Sequence, residues 1–315
     1  MATIKKFRIL KFKSKPILSV KGISKNIDSR IILRKIDFHI NKGEIFGLLG
    51  PNGAGKTTFI SILAGTVIKN SGDVNVWGFD LDKNPRQVRA SIGIVPQEVN
   101  LDPFFNPKKL LELQAGMYGV KKKDRITDAI LKVVSLENQA NSYSRNLSGG
   151  MKRRLLIAKA MVHQPAILVL DEPTAGVDVE LRQNLWKNVR ILNKLGVTII
   201  LTTHYLFEAQ ELCDRIAILN KGKLVALDTT KNLIDKIKIK KIIFRLNKRI
   251  DLSKFESAEL KFLSNINNEI IISYNKEKIK IEEIIKLIKN EDVEILDIST
   301  DEADLEDVFI ELTKR

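Results

Sequence analysis

The stretch that decides the fold is Gly50-Pro51-Asn52-Gly53-Ala54-Gly55-Lys56-Thr57. It matches the pattern G-x-x-x-x-G-K-[ST], in which glycines let backbone N–H groups close around phosphate oxygens. In this pattern the lysine and the hydroxyl reach the terminal phosphates and Mg²⁺. An apolar run at 44–50 precedes the loop, and a helical pattern at 57–64 follows it. We therefore predict a phosphate loop between a strand and a helix.

Three further motifs follow in a fixed order. Leu147-Ser148-Gly149-Gly150-Met151 is a second glycine-rich segment. Asp171 and Glu172 end the apolar run 167–170, and His204 follows the apolar run 197–202. Carboxylates at the carboxyl end of a buried strand lie where open α/β sheets bind ligands.

In this order the motifs resemble those of the ATPase subunits of ABC transporters. The segment 147–151 is diagnostic, because P-loop proteins outside this family lack it. The segment 305–309 is similar to the corresponding segment of the ABC-2-type branch, which exports drugs, polysaccharides and lipids. Met151 replaces the glutamine usual at its position, a substitution familiar in that branch.

The resemblance implies an α/β fold with a P-loop NTPase (RecA-like) core, an antiparallel β subdomain and an inserted helical subdomain. Apolar runs predict parallel strands at 92–97, 166–170 and 197–202, and helical spacing predicts helices at 108–117, 124–134, 149–162 and 180–195. We expect a basic extension at 1–16, an ABC ATPase domain at 17–234 with its helical subdomain at about 98–165, and a C-terminal accessory domain at 235–315.

The accessory domain is predicted to be a small α+β unit. Its patterns indicate strands at 242–246, 269–274 and 293–298 and helices at 279–288 and 305–313. Two roles stay open for it, a packing or dimer-stabilising element and a regulatory element.

The resemblance assigns roles to the motif residues. Lys56 neutralises the β- and γ-phosphates, and Glu172 is the base that orients or deprotonates the attacking water. Gln97 resembles the Q-loop residue that contacts Mg²⁺ and the water, and His204 resembles the switch histidine at the γ-phosphate. Mg²⁺ ligands are Thr57, Gln97 and Asp171. ATP is bound by Gly50, Pro51, Asn52, Gly53, Ala54, Gly55, Lys56, Thr57, Thr58, Ser148, Gly149 and Gly150.

The signature segment implies a partner subunit. Its glycine N–H groups open a helix and so form a second anion site in a chain that already has a P-loop. A second anion site makes sense if it closes over ATP that is held by a second copy of the chain or by a paralogous ATPase. Residues 175–178 match the D-loop that the family places across this interface. Lys152, Arg153 and Arg154 continue the helix and are interpreted as a solvated face.

Composition limits the kinds of protein and of binding partner that remain possible. The chain has 315 residues, 44% of them apolar, a net charge of +15 and one cysteine, which we expect to be buried. Lysine accompanies isoleucine and asparagine throughout, so we interpret the charge as compositional bias and expect no specific nucleic acid partner. The first fifteen residues include six basic and no acidic ones. They are interpreted as a disordered tail or as a segment that rests on an anionic membrane.

The leading function is therefore a Mg²⁺-dependent ATPase at the cytoplasmic face of the cell membrane, where it drives a separately encoded integral membrane permease, an exporter by resemblance. No run approaches the roughly 18 apolar residues of a membrane-spanning helix. The alternative is a soluble ABC ATPase acting on ribosomes or DNA, which a single cassette without sustained heptads disfavours. Intact Lys56, Asp171, Glu172 and His204 disfavour a binding module without ATPase activity.

A turn-rich segment, Asp102-Pro103-Phe104-Phe105, follows Gln97 closely. We predict that a groove around residues 98–105 receives a cytoplasmic helix of the permease. The other interpretation is that Phe104 and Phe105 are core residues.

The residue expected to stack on the adenine base of ATP departs from the family pattern. Ile27 stands where the family has an aromatic residue, and no aromatic occurs between Phe12 and Phe38. Because base stacking on an aromatic ring is worth about 1–3 kcal/mol, we predict weakened but retained nucleotide binding and poor discrimination between ATP and GTP.

This prediction is checked by ATP and GTP affinities of the wild type and two variants. Ile27→Tyr should bind ATP more tightly, because it restores a stacking ring, whereas Phe12→Ala should have no effect. A large loss of affinity in Phe12→Ala would instead show that the N-terminal extension supplies the stacking ring.

Overall fold

The computed structural model describes residues 16–248, 250, 256–257, 259–266, 268–291, 293–301 and 304–313. Residues 1–15, which form nearly all of the predicted basic extension and include Phe12, lie outside the described residues. The chain divides into two compact units, Met1–Asp228 and Thr229–Arg315.

The first unit is built from ten strands and seven α-helices among its described residues. The strands are β1 (Leu18–Ile27), β2 (Arg30–Ile40), β3 (Ile45–Leu49), β4 (Ser71–Val76), β5 (Phe79–Asp80), β6 (Ile92–Val95), β7 (Ile167–Asp171), β8 (Thr198–Thr203), β9 (Arg215–Asn220) and β10 (Lys223–Thr229). The helices are α1 (Lys56–Ala64), α2 (Pro85–Ser91), α3 (Pro107–Met117), α4 (Thr127–Val133), α5 (Gly149–Met161), α6 (Val179–Lys194) and α7 (Leu206–Leu212).

A six-stranded sheet in the order β10-β9-β3-β8-β7-β6 forms the centre of this unit. Strands β9, β3, β8, β7 and β6 pair in parallel. Their residues are almost all buried, which explains the continuous apolar runs, because a parallel sheet is covered on both faces. Parallel strands bring their carboxyl ends to one edge, and Gly50, Gln97, Asp171, Glu172 and His204 lie at or just after those ends.

A second sheet, in the order β2-β1-β4-β5, pairs antiparallel throughout. It shares one hydrophobic core with the central sheet and α1. Phe38 of β2 stacks on Phe46 of β3 at 5.4 Å and contacts Phe59 of α1 at 5.3 Å between ring centroids. The core thus fixes the strand before the phosphate loop and the helix after it.

Helices α3, α4 and α5 lie between β6 and β7 in the chain and pack on one another. Helix α3 begins with Pro107, and the side chain of Asn106 caps it by accepting a hydrogen bond from Lys109 N at 2.8 Å. The predicted helix at 124–134 is too long: α4 spans only Thr127–Val133 and follows a separate 3₁₀ turn, Lys122–Asp124. Arg125, between the two, has the extended backbone that interrupts the helix.

The second unit contains α8 (Thr230–Asp235), β11 (Ile239–Leu246), β12 (Leu260–Ile266), β13 (Glu269–Asn275), α9 (Ile281–Lys289), β14 (Ile295–Asp301) and α10 (Leu305–Thr313). Its strands form an antiparallel sheet in the order β12-β13-β11-β14. Ile284 and Ile288 of α9 are buried in one cluster with Phe244 and Ile272 of the sheet. Strand β12 was not predicted from the sequence.

Across the described ranges, we find no helix with the length and apolar character needed to cross a membrane.

Candidate active site

The phosphate loop joins β3 to α1. Gly55 caps α1 with a left-handed φ of 106°, and an added Cβ there would lie 2.6 Å from Leu33 Cδ2. Only glycine meets both conditions without strain. Lys56, Thr57 and Thr58 form the first turn of α1, where backbone N–H groups have no partner within the helix. The loop therefore presents donors to an anion at the helix N-terminus.

The Lys56 side chain is folded into this loop. Its Nζ donates to the carbonyl oxygens of Gly50 at 2.6 Å and Pro51 at 3.2 Å. Burial lowers the pKa of Lys56, and the charges of Glu172 and Asp171 act in the opposite direction. The two carboxylates are thus near enough to favour the ammonium form, and they lie at the end of β7.

One hydroxyl group connects the two carboxylate residues. Thr202 Oγ1 on β8 donates to Asp171 Oδ1 at 2.5 Å and accepts from Glu172 N at 3.1 Å. The Glu172 N–H also lies 3.0 Å from the Thr202 carbonyl oxygen. Glu172 has a φ of 46°, the left-handed conformation that is uncommon for a non-glycine residue. Thr202 therefore holds the turn that aims the Glu172 side chain.

Gln97 and His204 meet at the Glu172 carboxylate. Gln97 Nε2 donates to Glu172 Oε2 at 3.0 Å, and His204 Nδ1 hydrogen-bonds with the same oxygen at 3.1 Å. The side chain of Glu172 is 13% exposed, whereas that of His204 is 46% exposed. The structure thus brings together the three residues predicted as catalytic, which are far apart in the chain.

The segment after His204 is anchored to α6. Tyr205 N donates to Thr203 Oγ1 at 3.0 Å, and the guanidinium of Arg182 lies 4.7 Å from the centre of the Tyr205 ring. Glu208, buried on α7, accepts from Trp186 Nε1 at 2.8 Å, and burial raises the pKa of this carboxyl group. The histidine therefore follows a rigid strand and precedes a fixed helix.

The signature segment begins α5. Ser148 caps the helix by accepting from Met151 N at 3.3 Å. An added Cβ on Gly150 would lie 2.1 Å from Leu181 Cδ1, so the glycine permits close packing of α5 on α6. The segment lines a surface concavity that contains no residue of the phosphate loop. The lining residues are Ser148, Gly149, Gly150, Gly176, Val177, Asp178, Glu180, Leu181 and Asn184.

The predicted solvated face on α5 is wrong for two of its three residues. Arg153 donates from Nη1 to the carbonyl of Gln97 at 2.5 Å and from Nη2 to that of Ala175 at 3.0 Å. Arg154 Nη1 donates to the carbonyls of Val134 at 3.0 Å and Ser135 at 2.8 Å. Burial lowers the pKa of both guanidinium groups. Sequence reasoning missed these contacts because backbone carbonyls leave no signal in side-chain patterns.

Comparison with known proteins identifies the family. A family model described as "ABC transporter" matches residues 33–175. The linearmycin resistance ATP-binding protein LnrL of Bacillus subtilis is 34% identical over 313 residues, which cover 95% of this chain and 99% of that protein. The chain belongs to the ABC transporter family.

Other ABC proteins are also similar to this chain. A Nod factor export ATP-binding protein I from Burkholderia thailandensis is 39% identical over 215 residues, which cover 68% of this chain and 71% of that protein. The solved structure of cbiO1 from Clostridium perfringens, part of the ABC transporter complex cbiONQ, has a TM-score of 0.63 at 30% identity and covers 71% of this chain and 95% of its own. The predicted P-loop NTPase fold is confirmed by these likenesses.

The oxygen atoms at this ABC site suit Mg²⁺. Thr57 supplies a hydroxyl at the first turn of α1, and Asp171 supplies a carboxylate of which Oδ1 accepts a hydrogen bond from Thr202. Hard oxygen ligands of this kind are those that Mg²⁺ prefers, with one or two carboxylates and the substrate phosphates completing the set. The described residues hold no group of three or more His, Cys, Asp and Glu side chains placed for a metal.

Two predicted features of the surface lie in the first unit. Ile27 ends β1 and is 44% exposed. Phe104 is 70% exposed, so the core interpretation is wrong for Phe104, whereas Phe105 is half-buried. Next to Gln97, a groove is lined by the end of β6, the segment after it, α3 and α5.

Cys213 is buried, as predicted.

We predict that Thr202→Val destabilises the first unit by about 1–3 kcal/mol, because it leaves Asp171 and the Glu172 N–H without their hydroxyl partner. Both tryptophans, Trp77 and Trp186, belong to this unit. Their fluorescence during urea unfolding therefore reports its midpoint. Thr202→Ser keeps the hydroxyl and serves as the control; equal midpoints for the two variants would contradict the assigned role.

Proposed function

We propose that this ABC protein is an ATP-hydrolysing subunit that dimerises around two ATP molecules and drives a separate integral membrane permease as an exporter. The observation that carries the proposal is the convergence of Gln97 and His204 on the Glu172 carboxylate. A carboxylate held by two polar side chains at the carboxyl edge of the central sheet can orient a water molecule for attack on a γ-phosphate.

The remaining roles follow from the positions of the groups. The loop N–H groups and the Lys56 ammonium bind the β- and γ-phosphates. When Lys56 exchanges its two loop carbonyls for phosphate oxygens, its neutral acceptors are replaced by negatively charged ones. Glu172 accepts the proton of the attacking water, and Gln97 and His204 fix the direction of its carboxylate. When bound by Thr57 and Asp171, with Gln97 nearby, Mg²⁺ supplies positive charge that offsets the phosphate oxygens.

The dimer is supported by the separation of two anion-binding segments within one chain. Ser148, Gly149 and Gly150 start a 13-residue helix and face a concavity without phosphate-loop residues. A second copy or a paralogous subunit in head-to-tail orientation would bring this helix N-terminus to the ATP of its partner.

The proposed role in transport is supported by the similarity to ATP-binding proteins of resistance and export systems. They are ATP-binding proteins of linearmycin resistance and of Nod factor export. We propose a peripheral position at the cytoplasmic face of the membrane. We assign the ATPase domain to residues 17–234, with its helical subdomain at about 98–165, and an accessory domain to 235–315.

We predict that Glu172→Gln still binds ATP but hydrolyses it roughly 10²–10⁴-fold more slowly, because the amide keeps the shape and loses the basic carboxylate. The check is steady-state phosphate release beside nucleotide binding. The control, Glu137→Gln, changes an exposed carboxylate on the helical insert and should hydrolyse ATP at the wild-type rate. Undiminished turnover in Glu172→Gln would remove Glu172 from the role of base.

We also predict that Phe104→Asp abolishes co-purification with the permease, because it replaces an exposed apolar ring, two residues after the groove residue Asp102, with a charge. Ile68→Asp is the matched control, since Ile68 is 83% exposed and lies away from this groove. Both variants should fold, as neither side chain is buried. Intact complex formation by Phe104→Asp would refute the docking surface.

A further inference from the structure

Arg153 joins three segments of the first unit. It lies on α5, one turn after the signature glycines, and its two terminal nitrogens donate to different loops. Nη1 bonds to the carbonyl of Gln97 at 2.5 Å, and Nη2 bonds to the carbonyl of Ala175 at 3.0 Å. We propose that Arg153 is a positioning residue that holds the Gln97 loop and the 175–178 loop on either side of Glu172, so that the signature helix controls the geometry of the base.

Both anchored carbonyls belong to residues that also bond to Glu172. The side chain of Gln97 donates to Glu172 Oε2 at 3.0 Å. The N–H of Ala175 donates to the Glu172 carbonyl at 3.2 Å. Arg153 therefore fixes one neighbour of the Glu172 side chain and one neighbour of its backbone, without a hydrogen bond to Glu172 itself.

The geometry suits a guanidinium group. Arginine presents several N–H donors in a rigid plane, whereas a lysine ammonium is a single point of charge on a flexible chain. A lysine at position 153 would have to serve both carbonyls from a single nitrogen, whereas Arg153 uses two separate nitrogen atoms held in one plane. The bond of Arg153 to the Ala175 carbonyl is partly buried, which strengthens it because less water competes for that carbonyl.

Arg154 is the matched control on the same helix. It also donates to two backbone carbonyls, those of Val134 and Ser135, but these lie at the end of α4 within the helical insert. Replacing either arginine by glutamine removes the same charge and the same number of carbonyl bonds. Only the Arg153 variant frees the loops beside Glu172.

The functional test rests on the proposed ATPase activity. We expect Arg153→Gln to lower kcat by about 10-fold to 100-fold, since small misplacements of a catalytic group have effects of this size, with the KM for ATP changed less than about twofold. Arg153→Lys should recover part of kcat, and Arg154→Gln should keep the wild-type kcat. In a Gln97→Ala background, Arg153→Gln should lower kcat less than it does in the wild type, because the side chain that it positions is gone.

A second measurement does not depend on hydrolysis. Amide hydrogen exchange of the full chain should speed up at 96–99 and 173–178 in Arg153→Gln, but not in Arg154→Gln. Unchanged exchange at both loops, a wild-type kcat in Arg153→Gln, or full additivity with Gln97→Ala would overturn the proposal. A wild-type chain that binds but does not hydrolyse ATP would instead sink the proposed function, and the exchange data would still decide whether Arg153 holds the two loops.

Discussion

The parallel alignment of the central strands is the constraint on which the site depends. Strands β3, β6, β7 and β8 end at one edge of the sheet, and each is followed by a residue of the candidate site. The residues after these strands are Gly50, Gln97, Glu172 and His204, which are separated by up to 154 positions in the chain. Because parallel pairing fixes strand direction, the four residues lie at the same edge without any local sequence relation, and the side chains of Gln97 and His204 contact that of Glu172.

At that edge, one polar residue of the sheet hydrogen-bonds to both carboxylate residues. Thr202 is completely buried, yet it satisfies its hydroxyl by donating to Asp171 and accepting from Glu172 N. The same contact stabilises the positive φ of Glu172, a conformation that costs free energy when it is unsupported. A buried hydroxyl in an apolar strand is thus explained by its two partners rather than by packing.

The sequence predicted the parts of the fold that have strong local signals. Strands β3, β7 and β8 are continuous apolar runs, and the phosphate loop has glycines at fixed spacing, so their order and ends were close to the observed ones. Strand β12 was missed, because Lys261, Ser264 and Asn265 interrupt its apolar pattern. The contacts of Arg153 could not be predicted, since they depend on which backbone carbonyls the folded loops bring to α5. The roles of the motif residues, unlike the fold, stay predictions.

The net charge of the chain is unevenly distributed between the two units, although lysine is frequent in both. Residues 229–315 contain 17 basic and 18 acidic side chains, so the whole surplus behind the net charge of +15 lies in residues 1–228. That unit contains the phosphate loop, the signature helix and the groove beside Gln97. A basic surface attracts anions over distances longer than a hydrogen bond, and the attraction weakens with salt. The excess charge therefore favours the approach of a polyphosphate to the unit that carries its binding loop, whereas the second unit contributes no net attraction.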